Sequence, residues 1–167
     1  MSIKDIEETS TFKQVKAVRS WSGVLVVTVV MKPDKFSCPN DCHMCPSEPG
    51  QPRSYLSTEP AVSRANRHAF DAVKQFNSRM TMLHNNGHTL DKIEIIVLGG
   101  TFSSYPRNYQ EEFIRDLFFA ANIFNNGHSR NAFSLYEEKK INESAEKKII
   151  GISSVSYTHL TLPTKRI

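Results

Sequence analysis

The stretch Val24–Met31 (VLVVTVVM) is a nearly unbroken β-branched run that ends at Lys32-Pro33, just ahead of the chain's three cysteines, Cys38, Cys42 and Cys45. Such a run suits a parallel strand covered on both faces, because alternation is lost when neither face meets water. Proline then stops further pairing. A second run, Ile93–Leu98 (IEIIVL), leads straight into Gly99-Gly100-Thr101, and a third spans Ile149–Ser153. Helical periodicity fills the gaps. Val62, Ala65, Ala69, Val73, Phe76, Met80 and Leu83 predict one long helix from about Glu59 to Asn86, capped by Ser57 or Thr58, with Pro60 in its first turn. Asn85-Asn86-Gly87 predicts its end, with Gly87 left-handed. Tyr109, Phe113, Leu117, Ala121 and Phe124 predict a second helix over 108–126, closed by Asn125-Asn126-Gly127 in the same way. A more polar third helix is expected over 131–146. This alternation argues for α/β architecture with parallel strands and right-handed helical crossovers. Three strands cannot close a barrel, which typically takes about 250 residues. The expectation is the front portion of a larger barrel rather than a small open sheet.

The 39% hydrophobic and 23% charged content suits a packed soluble domain. No apolar run approaches the roughly 18–20 residues that span a bilayer, and the polar start MSIKDIEETSTF is no secretory signal. Cysteines crowded together without an export signal suit a reducing compartment, so the chain is read as cytoplasmic, with no membrane partner. Residues 1–20 form a polar, basic lead-in, with Lys13, Lys16 and Arg19 near its end. Val155–Thr164 (VSYTHLTLPT) resembles translated sequencing-adapter sequence, so 154–167 is expected to be a non-native tail. Setting aside its Lys165 and Arg166, with no acid lost, lowers the formal charge from +4 to +2. Basicity alone then says little about nucleic acid.

The chemistry-bearing segment is residues 32–57. A structureless loop of about 25 residues is uncommon in a compact domain and usually functional. Within it Cys38-Pro39-Asn40-Asp41-Cys42-His43-Met44-Cys45 has C-x3-C-x2-C spacing. Three thiolates on one short loop can hold three irons of a 4Fe–4S cubane. The fourth iron is then open to chelate S-adenosylmethionine. The loop also follows the C-terminal end of a strand, where α/β folds place their sites. The competing reading is zinc, with His43 joining the cysteines. Gly99-Gly100-Thr101 is either a plain turn or backbone that approaches the amino group of S-adenosylmethionine.

Together these residues resemble the radical S-adenosylmethionine domain of the Elongator catalytic subunit, the tRNA uridine carboxymethyl-forming family. The matching positions are Arg19, Ser22-Gly23-Val24, Lys32-Pro33, Cys38-Pro39, Cys42, Cys45-Pro46, Ser54-Tyr55, Glu59-Pro60, Arg64-Ala65, Gly87-His88, Asp91-Lys92, Gly99-Gly100-Thr101-Phe102, Pro106, Tyr109, Phe113-Ile114 and Gly151-Ile152-Ser153. They cover about residues 19–153. Met44 departs from an expected aromatic, and Ser47-Glu48 from expected glycines.

The resemblance implies the N-terminal part of a partial TIM-type barrel, incomplete here, over residues 21–153. It implies a 4Fe–4S cluster on Cys38, Cys42 and Cys45, with S-adenosylmethionine near Met44, Gly99, Gly100 and Thr101. Acetyl-CoA is the implied co-substrate and tRNA the implied partner, together with other Elongator subunits. The implied activity is that of a transferase: a deoxyadenosyl radical activates an acetyl group, which is joined to the wobble uridine. Substrate or RNA contacts are expected at Lys32, Tyr55, Glu59 and Arg19, with Lys13, Lys16 and Lys35 as phosphate contacts. Other radical S-adenosylmethionine chemistry and a non-catalytic zinc module are the alternatives.

Overall fold

The computed structural model describes residues 14–34, 38, 43, 45–125 and 130–154. Residues 155–167 of the expected non-native tail, Cys42, Met44, Lys13 and Lys35 lie outside the described residues.

Three parallel strands form one sheet in the order β1 (Leu25–Val30), β2 (Lys92–Leu98) and β3 (Lys148–Ser154). β1 and β2 run in continuous register from Leu25↔Ile93 to Val30↔Leu98. β3 pairs Ile149 with Ile93 and then Gly151 with Glu94, so Ile150 is squeezed out at the shift and is 54% exposed. α1 (Pro60–Arg67) and α2 (Ala72–Asn85) connect the first two strands, and α3 (Arg107–Ile123) and α4 (Leu135–Asn142) the second two.

The period of two decides what each strand buries. Leu25, Val27 and Val29 of β1 and Ile93, Ile95 and Val97 of β2 are all buried on one face. Phe76, Met80 and Leu83 of α2 and Phe113, Leu117 and Ala121 of α3 join them in one core. Each such side chain contributes about 1.5–3 kcal/mol by leaving water. The opposite face departs from the two-sided burial expected of the β-branched run. Val26 is 38% exposed there, and full burial is reached at the strand end, where Val62 and Ala65 of α1 pack with Val30.

The single long helix expected over 59–86 is instead two. His68 N–H and Phe70 N–H both turn back to the Ala65 carbonyl, at 3.0 and 2.9 Å, and Ala69 and Phe70 adopt positive φ. Asp71 then restarts the helix by accepting from Lys74 N–H at 2.8 Å. The break takes α1 to the strand ends while α2 follows the core face. Glu59, not Ser57 or Thr58, is the N-cap of α1, and Pro60 occupies its first turn as expected. α2 ends as its Asn-Asn-Gly sequence requires. Gly87 has φ 79°, Gly87 N–H reaches the His84 carbonyl, and His88 N–H reaches that of Leu83. α3 stops earlier than expected, with Phe124 extended and Asn125 at φ 62°; the expected closure at Asn126-Gly127 lies outside the described residues. The third helix is also shorter than expected, because Ser134 and Glu137 form a capping box that starts it at Leu135.

A polar network fastens α3, α4 and β3. The fully buried Glu138 accepts from Asn122 Nδ2 at 2.8 Å, from Phe133 N–H at 2.9 Å, and from both ends of the Arg130 guanidinium. Asn142 donates to Asn122 Oδ1 and accepts from Ile149 N–H, both at 2.8 Å. At the other end of the sheet, residues 14–20 dock rather than trail as a lead-in. Val15 N–H bonds the Asn86 carbonyl, and Gln14 and Ser20 both reach the buried His88 Nδ1. Among the described residues no helix is long and apolar enough to cross a membrane.

Candidate functional site at the strand exits

Among the described residues no strand lies beside the outer edge of β1, and two helical side chains close it. Gln75, fully buried on α2, accepts from Val30 N–H and donates to the Val30 carbonyl, both at 2.9 Å. It thereby supplies what a neighbouring strand would. Arg64 of α1 donates to the Thr28 carbonyl at 3.0 Å. The chain therefore leaves β1 along a fixed path.

That path is then tied to the exit of β2. Met31 N–H bonds the Leu98 carbonyl at 2.8 Å. Tyr105, 3% exposed, donates its hydroxyl to the Gly99 carbonyl at 2.6 Å and lies 3.2 Å from that of Lys32. Tyr109 accepts from Lys32 N–H at 3.1 Å, stacks on Tyr105 with centroids 5.6 Å apart, and has the Lys32 ammonium over its ring. Burial, followed by the fields of Tyr109, Asp34, Cys38 and Tyr55, pushes the Tyr105 phenol well above its ordinary range. It is a fixed donor at neutral pH. Gly99 is glycine for a packing reason: at φ +136°, an added Cβ would meet Met31 Cβ at 2.9 Å and Tyr105 Oη at 3.1 Å.

On this clasp sits Cys38, half-buried, with Sγ 3.4 Å from Oγ1 of the buried Thr101. Gly100, at φ 74°, makes the turn that presents Thr101. Cys38 also lines an open cleft of about 400 Å³ with Asp34, Glu48, Gln51 and Arg53. Cys45 is half-buried, and both thiols are free of disulfide. His43 is exposed, and among the described residues no three His, Cys, Asp or Glu side chains are grouped to hold a metal.

The second half of the loop is held by its own hydrogen bonds. Ser54 N–H bonds the Pro46 carbonyl, and Gln51 N–H that of Glu48. The Glu48 carboxylate accepts from Ser57 N–H at 2.8 Å, and the Ser57 side chain, followed by this backbone bond, lowers its pKa. Gln51 and Asn66 exchange side-chain hydrogen bonds that pin the loop to α1.

The expected substrate residues divide between two places. Tyr55 packs against the buried cluster of Val30, Val62 and Ala65, and burial, then the Glu59 charge, raises its phenol pKa. Glu59 accepts from Leu56 N–H at 3.1 Å and shapes the start of α1. Lys32 belongs to the tyrosine clasp. Arg19 is elsewhere, in the 3-10 turn Ala17–Ser20 before β1, and Lys16 is exposed beside it. Arg19 and Arg64 are the cationic neighbours that, after burial and in the order Arg64 then Arg19, lower the Arg79 pKa. Among the described residues no carboxylate pairs with Arg19, Arg64, Arg67 or Arg79. Gln75 and Tyr105 were not singled out by sequence. An aromatic residue just past a Gly-Gly turn was a usable signal for Tyr105; nothing in the helical pattern marks Gln75.

No protein-family model matches the chain. Among curated proteins it is 39% identical over 137 residues to the tRNA uridine(34) acetyltransferase of Dehalococcoides mccartyi, which covers 82% of this chain. It is 37% identical over 151 residues to human Elongator complex protein 3 and 38% identical over 143 to the tRNA uridine(34) acetyltransferase of Methanocaldococcus jannaschii. Over this span the chain belongs to the Elongator complex protein 3 family. It spans only about a quarter of those relatives' length, 25–28%. A solved structure of archaeal Methanocaldococcus infernus Elp3 lacking residues 1–46 superposes with TM-score 0.54 at 28% identity, over 80% of this chain and 23% of that one. The α/β fold expected from the strand and helix order is thus that of a family structure.

Proposed function

We propose that this chain is the front part of a radical S-adenosylmethionine enzyme that modifies the wobble uridine of tRNA with an acetyl-derived group from acetyl-CoA. The observation carrying this reading is the placement of Cys38 at the exit of β1, against Thr101 at the exit of β2, in a chain 39% identical to a protein named for tRNA uridine(34) acetyl transfer. The donor set suits a cluster: Cys38 and Cys45 are unpaired thiols, and Cys38 lines an open cleft. Cys38, Cys42 and Cys45 would hold a 4Fe–4S cluster, with Gly99, Gly100, Thr101 and Met44 facing S-adenosylmethionine. When bound, that pair supplies one-electron cleavage chemistry that protein side chains lack.

This chain's own residues do the positioning. Tyr105 and Tyr109 hold the two strand exits together, Glu48 ties the loop to Ser57, and Gln51 pins it to Asn66 of α1. The arginines Arg19, Arg64, Arg67 and Arg79, with no carboxylate partner among the described residues, suit phosphates of an RNA backbone. Tyr55 and Lys32 would border the substrate, and other Elongator subunits as partners and a cytoplasmic setting are part of the same proposal.

Anaerobic reconstitution with iron and sulfide tests the reading. The expected product is brown, carries about four irons per chain and cleaves S-adenosylmethionine, and Cys42→Ala loses all three properties. One zinc per chain without iron, or cleavage that survives Cys42→Ala, would overturn it.

A further inference from the structure

We infer that the Thr101 hydroxyl donates a hydrogen bond to the ligating sulfur of Cys38 and so sets the reduction potential of the cluster. The inference rests on the cluster reading above and assigns Thr101 a task separate from contact with S-adenosylmethionine.

Thr101 is 4% exposed, and the Cys38 sulfur 3.4 Å away is the hydrogen-bond partner of its hydroxyl among the described residues. A buried hydroxyl without a partner costs about 1–3 kcal/mol, so this contact is what makes its burial tolerable. A metal-bound thiolate carries no proton and can only accept, so the hydroxyl must be the donor once the cluster is in place. The hydroxyl is also held in position. Gly99 must be glycine against Met31, Tyr105 fixes the Gly99 carbonyl, and Ser104 N–H occupies the Thr101 carbonyl at 3.0 Å. Thr101 therefore cannot easily turn its side chain elsewhere.

The sign follows from charge. Reduction adds an electron to the cluster and its sulfurs, and a donor to sulfur stabilises the more negative state. The hydrogen bond raises the potential, and its removal makes the cluster harder to reduce.

The test is a redox titration of the anaerobically reconstituted chain, followed by electron paramagnetic resonance of the reduced cluster. Thr101→Val keeps the shape and loses the donor; its midpoint should move to a more negative potential. Thr101→Ser keeps the donor and loses the methyl; its midpoint should stay near that of the unmutated chain. An unshifted valine variant, or equal shifts in both, would overturn the inference and leave Thr101 as packing. A second readout needs no variant. The Fe–S stretching bands of the unmutated protein should shift on transfer to deuterated water, and unchanged bands count against a hydroxyl donor. Failure of the unmutated chain to take up iron defeats the cluster reading instead, which separates the two failures.

Discussion

Replacing Gln75 by methionine removes the amide that closes the outer edge of β1 while keeping a side chain of similar length on α2. In the native chain this amide satisfies both Val30 N–H and the Val30 carbonyl, at 2.9 Å each, in a fully buried setting. After the substitution both backbone groups remain buried with nothing to bond. Each such group costs about 1–3 kcal/mol, and the extra apolar burial of methionine returns at most about 1 kcal/mol. The expected net loss is therefore about 1–5 kcal/mol, or a fall in Tm of about 3–20 °C for a chain of this size. Urea unfolding checks it: the midpoint should fall with an unchanged slope, since the surface exposed on unfolding is nearly the same. Hydrogen exchange should quicken at Val30. Gln75→Glu should also destabilise at neutral pH, because a carboxylate presents only acceptors to the Val30 carbonyl. A methionine variant within about 0.5 kcal/mol of the parent would refute the reasoning and show that water or backbone movement satisfies the edge.

Three further outcomes follow from single contacts. Gly99→Ala should cost about 3 kcal/mol or more by calorimetry, since the new Cβ would lie 2.9 Å from Met31 Cβ at a backbone angle disfavoured for any side chain; a neutral effect would mean the β2 exit moves freely. Burial alone would raise the Glu138 pKa, but hydrogen bonds from Arg130, Phe133 and Asn122 leave it lowered. Its stabilisation is thus present above the ordinary carboxylate pKa of about 4.3 and is lost as pH falls below that value. Glu138→Gln should therefore be less stable than the parent at pH 7 and show a flatter acid limb, and equal pH dependence of Tm would contradict this. Ile150 stands 54% exposed on β3, whose outer edge has no strand beside it among the described residues. Ile150→Lys should reduce self-association in light scattering, and unchanged scattering would place the sticky surface elsewhere.

Much of the candidate site was legible as spacing. Cys38 and Gly99-Gly100-Thr101 could be placed at strand exits because a β-branched run and a glycine turn are local signals. The pairing of Thr101 with Cys38 was not legible. It joins residues 63 positions apart, and depends on the register that sets Val30 beside Leu98. The division of Lys32, Tyr55, Glu59 and Arg19 between two places was not legible either. Arg19 precedes β1 and the other three follow it, and a parallel sheet sends the two ends of a strand to opposite sides.

What the sequence determined alone is what short-range chemistry decides: three strands, their helical connections, the Gly87 stop and the free thiols ahead of α1. Tertiary structure decided the rest. The apolar stripe over 59–86 has a continuous helical period, yet it serves two surfaces. The helix breaks at Ala69 and Phe70 so that Val62 and Ala65 can cover the strand ends while Phe76, Met80 and Leu83 cover the core face. Periodicity reports that a residue is buried, not against what. For the same reason Gln75 reads as an ordinary polar helix residue until β1 is beside it, when its amide becomes the missing strand.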